Sequence, residues 1–255
     1  MRRRMSPKTV LVTGASSGIG RSLAIEYASR GARVALVARR RDALDEVTRT
    51  IRGRGGVAVP IVADMADTAA NEAAVKHAHD ELHSLEMVIA NAGMGSVGHA
   101  SRLTVADVSR VIDLNVRGAF VTLVAAIPFL LAQKRGHLVG VSSLAGRRGL
   151  PRTGAYSASK AALSTFLQTL RMDLAPRGID VTDIQPGFVD TALSAGAKNR
   201  PFLWSAEKAA RRIAEQLERA PAVYAFPLPV SALVSLSGAL PDAWVSWVAR
   251  RNHSR

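Results

Sequence analysis

Short apolar runs alternate with longer amphipathic segments along most of this chain. The runs at 9–13, 33–37, 57–62, 86–90, 137–141, 179–184 and 223–225 are too short for helices and end in Gly, Asp, Asn or Pro clusters. Runs of that length and setting read as buried strands. The segments after the glycine-rich turn at 14–20, and at 42–54, 68–83, 104–133, 154–173 and 207–219, read as helices. Gly53, Gly55 and Gly56 stop the second of these, and 104–133 reads as one long apolar helix bent near Pro128. Strands that alternate with helices predict parallel βαβ units, hence a three-layer α/β fold built on a doubly wound parallel sheet. No repeat or low-complexity linker interrupts the pattern. It predicts one domain over residues 1–225, with an apolar and basic helical extension over 226–255. In open sheets of this kind ligands bind at the carboxyl ends of the strands. The polar clusters of this chain fall at those ends.

The first strand runs into Gly14-Ala15-Ser16-Ser17-Gly18-Ile19-Gly20 and then a helix. Glycines let the backbone approach a pyrophosphate, and the helix N-terminus offers free N–H groups. Gly14, Ser16, Ser17, Gly18, Ile19 and Gly20 are therefore candidate dinucleotide contacts. The G-x-x-x-G-x-G spacing is not that of a P-loop. At the end of the second strand an acidic residue would hold a ribose 2′-hydroxyl, whereas arginine would hold a 2′-phosphate. Here Ala38 occupies that position and Arg39 and Arg40 follow, which favours NADP(H) over NAD(H). Asp64 closes the third strand, where it can accept from an adenine amino group or cap the next turn.

Tyr156 and Lys160 are one helical turn apart on a single face. An ammonium beside a phenol favours the phenolate, so Lys160 is expected to lower the Tyr156 pKa and fit it for general acid/base work. In isolation such a pair is more often an ordinary helix-surface contact. Its position beside the other motifs raises its weight.

Taken in order, Thr13–Gly20, Asn91-Ala92-Gly93, Asn115, Ser143, Tyr156-Ser157-Ala158-Ser159-Lys160 and Pro186-Gly187 resemble the motif series of the short-chain dehydrogenase/reductase family over about residues 8–225. Ser143 precedes Tyr156 by 13 positions, the family spacing. The resemblance implies a Rossmann-type sheet with strand order 3-2-1-4-5-6-7, a nicotinamide dinucleotide as hydride carrier, and carbonyl–alcohol interconversion. It also implies roles. Tyr156 exchanges the proton, Ser143 orients the substrate oxygen, Lys160 holds the nicotinamide ribose, and Asn115 positions a relay water. Asn91, Ala92 and Gly93 line the cofactor path. Pro186, Gly187, Val189 and Thr191 lie at the carboxamide end. Ser142 is expected to face away from the site, since neighbouring strand residues point to opposite sides. Ser17 departs from the basic residue many NADP-preferring members carry there, which leaves the phosphate preference to Arg39, with Arg40 assisting. A second reading keeps the dinucleotide fold without turnover, as a sensor or scaffold. The presence of Asn115, Ser143, Tyr156 and Lys160 together favours catalysis.

Composition changes this picture little. The 255 residues carry a net charge of +14, from 34 Lys and Arg against 20 Asp and Glu. Aromatics make up only 5% and no DNA-binding motif appears, so nucleic acid is not expected. With no cysteine there is neither a disulfide framework nor a thiolate metal site. His77, His79 and His83 read as a solvated helix face, and no metal is expected. No apolar run is long enough for a signal peptide or an uninterrupted membrane span, so a cytoplasmic location is expected. Residues 193–204 read as a mobile lid with Phe202 and Trp204 as substrate walls. In the tail, Pro241 opens a short helix whose Trp244, Val245, Trp247 and Val248 share a face backed by arginines. That face suits either a protein surface or peripheral contact with an anionic membrane. The helices at 104–133 and 154–173 resemble the family's paired interface, which implies a homodimer or homotetramer with a small-molecule carbonyl or alcohol as substrate.

Overall fold

β1 (Thr9–Thr13) is buried at every position because it is a central strand covered on both faces. Val10 and Val12 point into one hydrophobic cluster and Leu11 into the other. The computed structural model describes residues 6–95, 98–149, 151–196 and 200–238. Its main sheet also contains β2 (Arg33–Ala38), β3 (Val57–Val62), β4 (Met87–Ala90), β5 (Gly136–Val141) and β6 (Ile179–Pro186). β7 (Val189–Asp190) and β8 (Trp204–Ser205) pair apart from it, and β9 (Val223–Phe226) completes it. The order is β3-β2-β1-β4-β5-β6-β9, parallel throughout, as expected with β9 in the seventh place.

Helices cover both faces. α1 (Gly18–Ser29), α2 (Arg41–Arg52) and α7 (Ala206–Leu217) pack Leu23, Leu44 and Ile213 into the first cluster. α3 (Thr68–Leu82), α5 (Ala119–Gln133) and α6 (Gly154–Leu174) pack Val75, Leu123 and Leu167 into the second. Ser205 caps α7 by accepting from Lys208 N at 3.2 Å.

Residues 105–133 form one continuous helical run, as expected, with Pro128 inside α5. The sequence pattern did not mark a further irregularity: α4 (Val105–Ile112) passes into α5 through a π-helical segment, Asp113–Gly118. Gly118 has no room for a side chain there, since a Cβ would lie 2.4 Å from the Met65 carbonyl oxygen. Within the 29-residue helical run Val105–Gln133 an 18-residue window has a mean hydropathy of 1.8, so by length and composition alone this helix could cross a membrane, although Arg117 interrupts its apolar stretch. In this fold it lies against the sheet, with Leu123, Ala126 and Leu130 fully buried.

β9 is followed by α8 (Leu228–Gly238). Arg147 ties α8 to the strand ends: its Nε donates to Gln185 Oε1 at 2.6 Å and its Nη1 to Ser231 Oγ and Ser235 Oγ at 3.2 and 2.6 Å. The expected helix from Pro241, with Trp244 and Trp247, lies outside the described residues.

Candidate active site

The loop after β1 turns on two glycines in the left-handed region, Gly14 at φ +67° and Gly18 at φ +56°. A Cβ at Gly14 would also sit 2.9 Å from Ala92 Cα. Ser17 is the N-cap of α1 but makes no side-chain cap bond, which leaves first-turn N–H groups for an anion. Thr13 joins this loop to the end of β4. Its Oγ1 accepts from Asn91 N and Ala92 N, both at 3.0 Å, and its carbonyl accepts from Asn91 Nδ2 at 2.9 Å.

These ends enclose a cavity of 430 Å³. Gly14, Ser16, Ser17, Gly18, Ile19, Arg39, Arg40, Asp64, Asn91, Ala92, Gly93, Ser143, Tyr156, Lys160, Pro186, Gly187, Val189 and Thr191 all line it. Gly20 does not. A Cβ there would meet Asn91 Nδ2 and Gly14 O at 2.4 Å each, so Gly20 serves the packing of the loop against β4. Arg39 Nη1 lies 3.6 Å from Asp64 Oδ2, and Arg40 Nη2 donates to Ser16 Oγ at 3.2 Å. Asp64 also accepts from Ala66 N at 3.0 Å, so it caps its turn while it faces the cavity.

Asn115 is wholly buried and does not line the cavity. Its Oδ1 accepts from Met94 N at 2.8 Å, and its Nδ2 donates to Met94 O at 2.9 Å and Ser159 Oγ at 3.0 Å. The side chain therefore clamps the segment after β4 to α6, which carries Tyr156 and Lys160. The π segment is what brings Asn115 to this position.

At the far end of the cavity Lys160 is buried, and its Nζ donates to the Val141 carbonyl at 2.8 Å. Burial lowers its pKa to about 8, against an opposing pull from Asp183. Nζ lies 5.8 Å from the centre of the Tyr156 ring. The Tyr156 pKa is raised by burial, with Ser143 hydrogen-bonded to the phenol and pulling it partway back. This corrects the expectation that Lys160 depresses it. Desolvation disfavours the phenolate, and the lysine is itself weakened as a charge by the same burial.

Ser142 and Ser143 both border the cavity, but their hydroxyls diverge. Ser142 Oγ is hydrogen-bonded to the Asp183 carboxylate and to Ile184 O at 3.1 Å, whereas Ser143 engages Tyr156. Ser142 thus borders the cavity, contrary to expectation, while its hydroxyl turns to Asp183 and Ile184 rather than to Tyr156. The sequence reading did not single out Asp183. It is buried, accepts from Ser142 and from Gln185 Nε2 at 2.6 Å, and through Gln185 meets Arg147. β6, IDVTDIQP, carries Asp180, Thr182 and Gln185 as well, so no sequence signal set Asp183 apart. Met65, Leu114 and Leu193 are further cavity-lining side chains that no motif marked.

The expected wall residues stand elsewhere. β8 pairs Val189 with Trp204, which turns the indole onto Phe226 with ring centres 4.8 Å apart. Phe202 is 61% exposed and does not line this cavity. His79 stacks on Phe129 with centroids 4.2 Å apart, so it is only partly the solvated face expected of it. Among the described residues no cluster of His, Asp and Glu is arranged to hold a metal.

Comparison with known proteins agrees with this arrangement. The short chain dehydrogenase family profile matches residues 8–201. An uncharacterized oxidoreductase of Myxococcus xanthus is 42% identical over 248 residues, 97% of this chain and 98% of that one. A 3-oxoacyl-[acyl-carrier-protein] reductase of Synechocystis is 32% identical over 200 residues, covering 78% of this chain and 81% of its own. Among solved structures, a putative NAD(P) dependent gluconate 5-dehydrogenase of Beutenbergia cavernae, with NADP bound at low occupancy, superposes with a TM-score of 0.79 at 27% identity. It covers 86% of this chain and 94% of its own. The chain belongs to the short-chain dehydrogenase family of NAD(P)-dependent oxidoreductases.

Proposed function

We propose that this protein reduces a carbonyl compound to an alcohol with NADPH, Tyr156 acting as the proton donor. The observation that carries the reading is that Ser143, Tyr156 and Lys160 meet at one end of the cavity whose other end holds Arg39 and Arg40. The cavity suits a dinucleotide. Gly14 and Gly18 bring main chain up to it, and the N-terminus of α1 faces it.

When bound, the cofactor supplies the hydride. The chain's own residues supply the rest. The Arg39 guanidinium, held by Asp64, and the neighbouring Arg40 would bind the 2′-phosphate, which gives the preference for NADP(H). Lys160 would hold the ribose, its amine fixed by Val141. Ser143 would donate to the substrate oxygen, stabilising the alkoxide charge that develops there. Tyr156 would then pass its proton to that oxygen. Its raised pKa keeps the phenol neutral near pH 7, the form reduction requires and oxidation does not.

Support for assembly as a homodimer or homotetramer is the apolar exposure along the long helices, with Val124 49% and Met172 64% exposed. A panel of ketones and aldehydes with NADPH, followed by loss of nicotinamide absorbance, tests the reading. Consumption of NADPH by at least one carbonyl in the wild type, lost in Tyr156→Phe, is the expected result. A cofactor that binds but is never oxidised would favour the sensor or scaffold reading instead.

A further inference from the structure

Immediately beyond Gly93 a second cleft opens, with a volume of 640 Å³. That is within the range of small-molecule sites. Met94 and Gly95 line it, while Leu193, which lines the first cavity, lies 3.4 Å from where a Gly95 Cβ would stand. Leu193 is therefore the partition between the two spaces. The second cleft has an apolar floor at Val111, which is 1% exposed.

Its walls are strongly cationic. Arg102, Arg110 and Arg152 line it against a single carboxylate, Asp107. That carboxylate is already engaged: it accepts from Thr104 in the capping box of α4 and pairs with Arg110. Among the described residues Arg102 and Arg152 have no carboxylate partner. Arg152 also holds an uncommon left-handed backbone, φ +69°, and its carbonyl accepts from Gly98 N at 2.9 Å. This bond joins the Gly98 and Arg152 segments that line the cleft. Two guanidinium groups without a carboxylate partner, lining one cleft, are matched by an oxyanion, which each can grip with paired N–H donors.

We propose that this cleft binds an anionic substituent of the substrate, a carboxylate or a phosphate, while the carbonyl lies beyond Leu193 at Tyr156. The inference rests on the reductase reading of the first cavity and adds the substrate class to it.

The test compares para-acetylbenzoate, its methyl ester and para-acetylphenyl phosphate, each at saturating NADPH, in wild type and in the double variant Arg102→Gln, Arg152→Gln. The expected result is that the carboxylate or the phosphate exceeds the ester in kcat/KM by about tenfold or more, since charge-assisted hydrogen bonds carry the difference. The double variant erases that advantage and leaves the ester rate and the NADPH KM unchanged. Whichever anion gains more identifies the group. An ester as good as both anions in wild type, or a variant that lowers all three alike, overturns the inference. If wild type turns over none of the three, the reductase reading is decided separately by the panel of ketones and aldehydes. Calorimetric titration of para-acetylbenzoate into the NADPH complex then decides the cleft: binding that the double variant loses supports it, and no binding, or binding the variant keeps, overturns it.

Discussion

Lys160 directs its one hydrogen bond to the Val141 carbonyl at 2.8 Å and holds its nitrogen 5.8 Å from the centre of the Tyr156 ring. The two groups share a buried pocket, and burial moves them in opposite senses. The amine drops to about 8, while the phenol rises. As pH increases, Lys160 is therefore the first of the pair to lose its working form. The kcat/KM for reduction should be level through neutrality and fall tenfold per unit above pH about 8. Lys160→Met should lower the rate by about tenfold to a hundredfold, the worth of a hydrogen bond to a charged group, and remove that alkaline limb. A limb unchanged in the variant would assign it to another group.

The proposed preference for NADP(H) rests on side chains that the fold leaves accessible. Arg39 is 67% exposed in its side chain and, among the described residues, is steadied by Asp64. Each arginine contact to a phosphate is worth about 1.5–3 kcal/mol, so removing one costs about tenfold to a hundredfold in affinity. Arg39→Ala should raise the NADPH KM by that factor and leave the NADH KM nearly unchanged, and adding Arg40→Ala should enlarge the effect. A ratio of the two KM values that stays at the wild-type figure would sink the assignment.

His137 predicts a stability profile independent of catalysis. It lies fully buried in β5, with Nε2 2.8 Å from Thr182 Oγ1. The Thr182 hydroxyl donates to Pro221 O at 2.6 Å, so it must accept from His137 and Nε2 carries the hydrogen. Nδ1 has no partner, and burial lowers the imidazole from 6.5 to about 3. Above pH 6.5 the ring is neutral in both folded and unfolded chains. Between 6.5 and about 3 the unfolded chain binds a proton that the folded chain does not. Stability should fall by about 1.4 kcal/mol per unit as pH drops through that window. Urea unfolding of His137→Gln should show a shallower decline over the same range; an identical slope would place the acid sensitivity elsewhere.

The cofactor end of the site was readable from residues alone because glycines and strand ends act locally. Gly14 and Gly18 take positive φ where the loop turns, and Arg39 follows directly on the last residue of β2. Elements set by long-range contact were not readable in the same way. The π segment has no periodicity of its own. Asn115 is held there by Met94 and Ser159, residues 21 and 44 positions away. Asp183 takes its meaning from Ser142, 41 positions away, and Arg147 from Ser231, 84 positions away. Trp204 was misplaced for the same reason, since only its pairing with Val189 turns it inward. The direction of the Tyr156 shift was also misjudged, because a helical spacing reports a neighbouring charge but not the depth at which both groups are buried.

The account depends most on Tyr156 as the proton donor. The direct measurement is single-turnover hydride transfer from NADPH to a carbonyl that the wild type reduces, made with Tyr156→Phe alongside a fluorescence titration of NADPH. The variant should bind NADPH within about twofold of wild type, because its ring remains in place and only the hydroxyl beside Ser143 is lost. Its hydride transfer should slow by about 10²–10⁴-fold, the contribution of a positioned general acid. Transfer at the wild-type rate in a variant that binds NADPH normally would contradict the account.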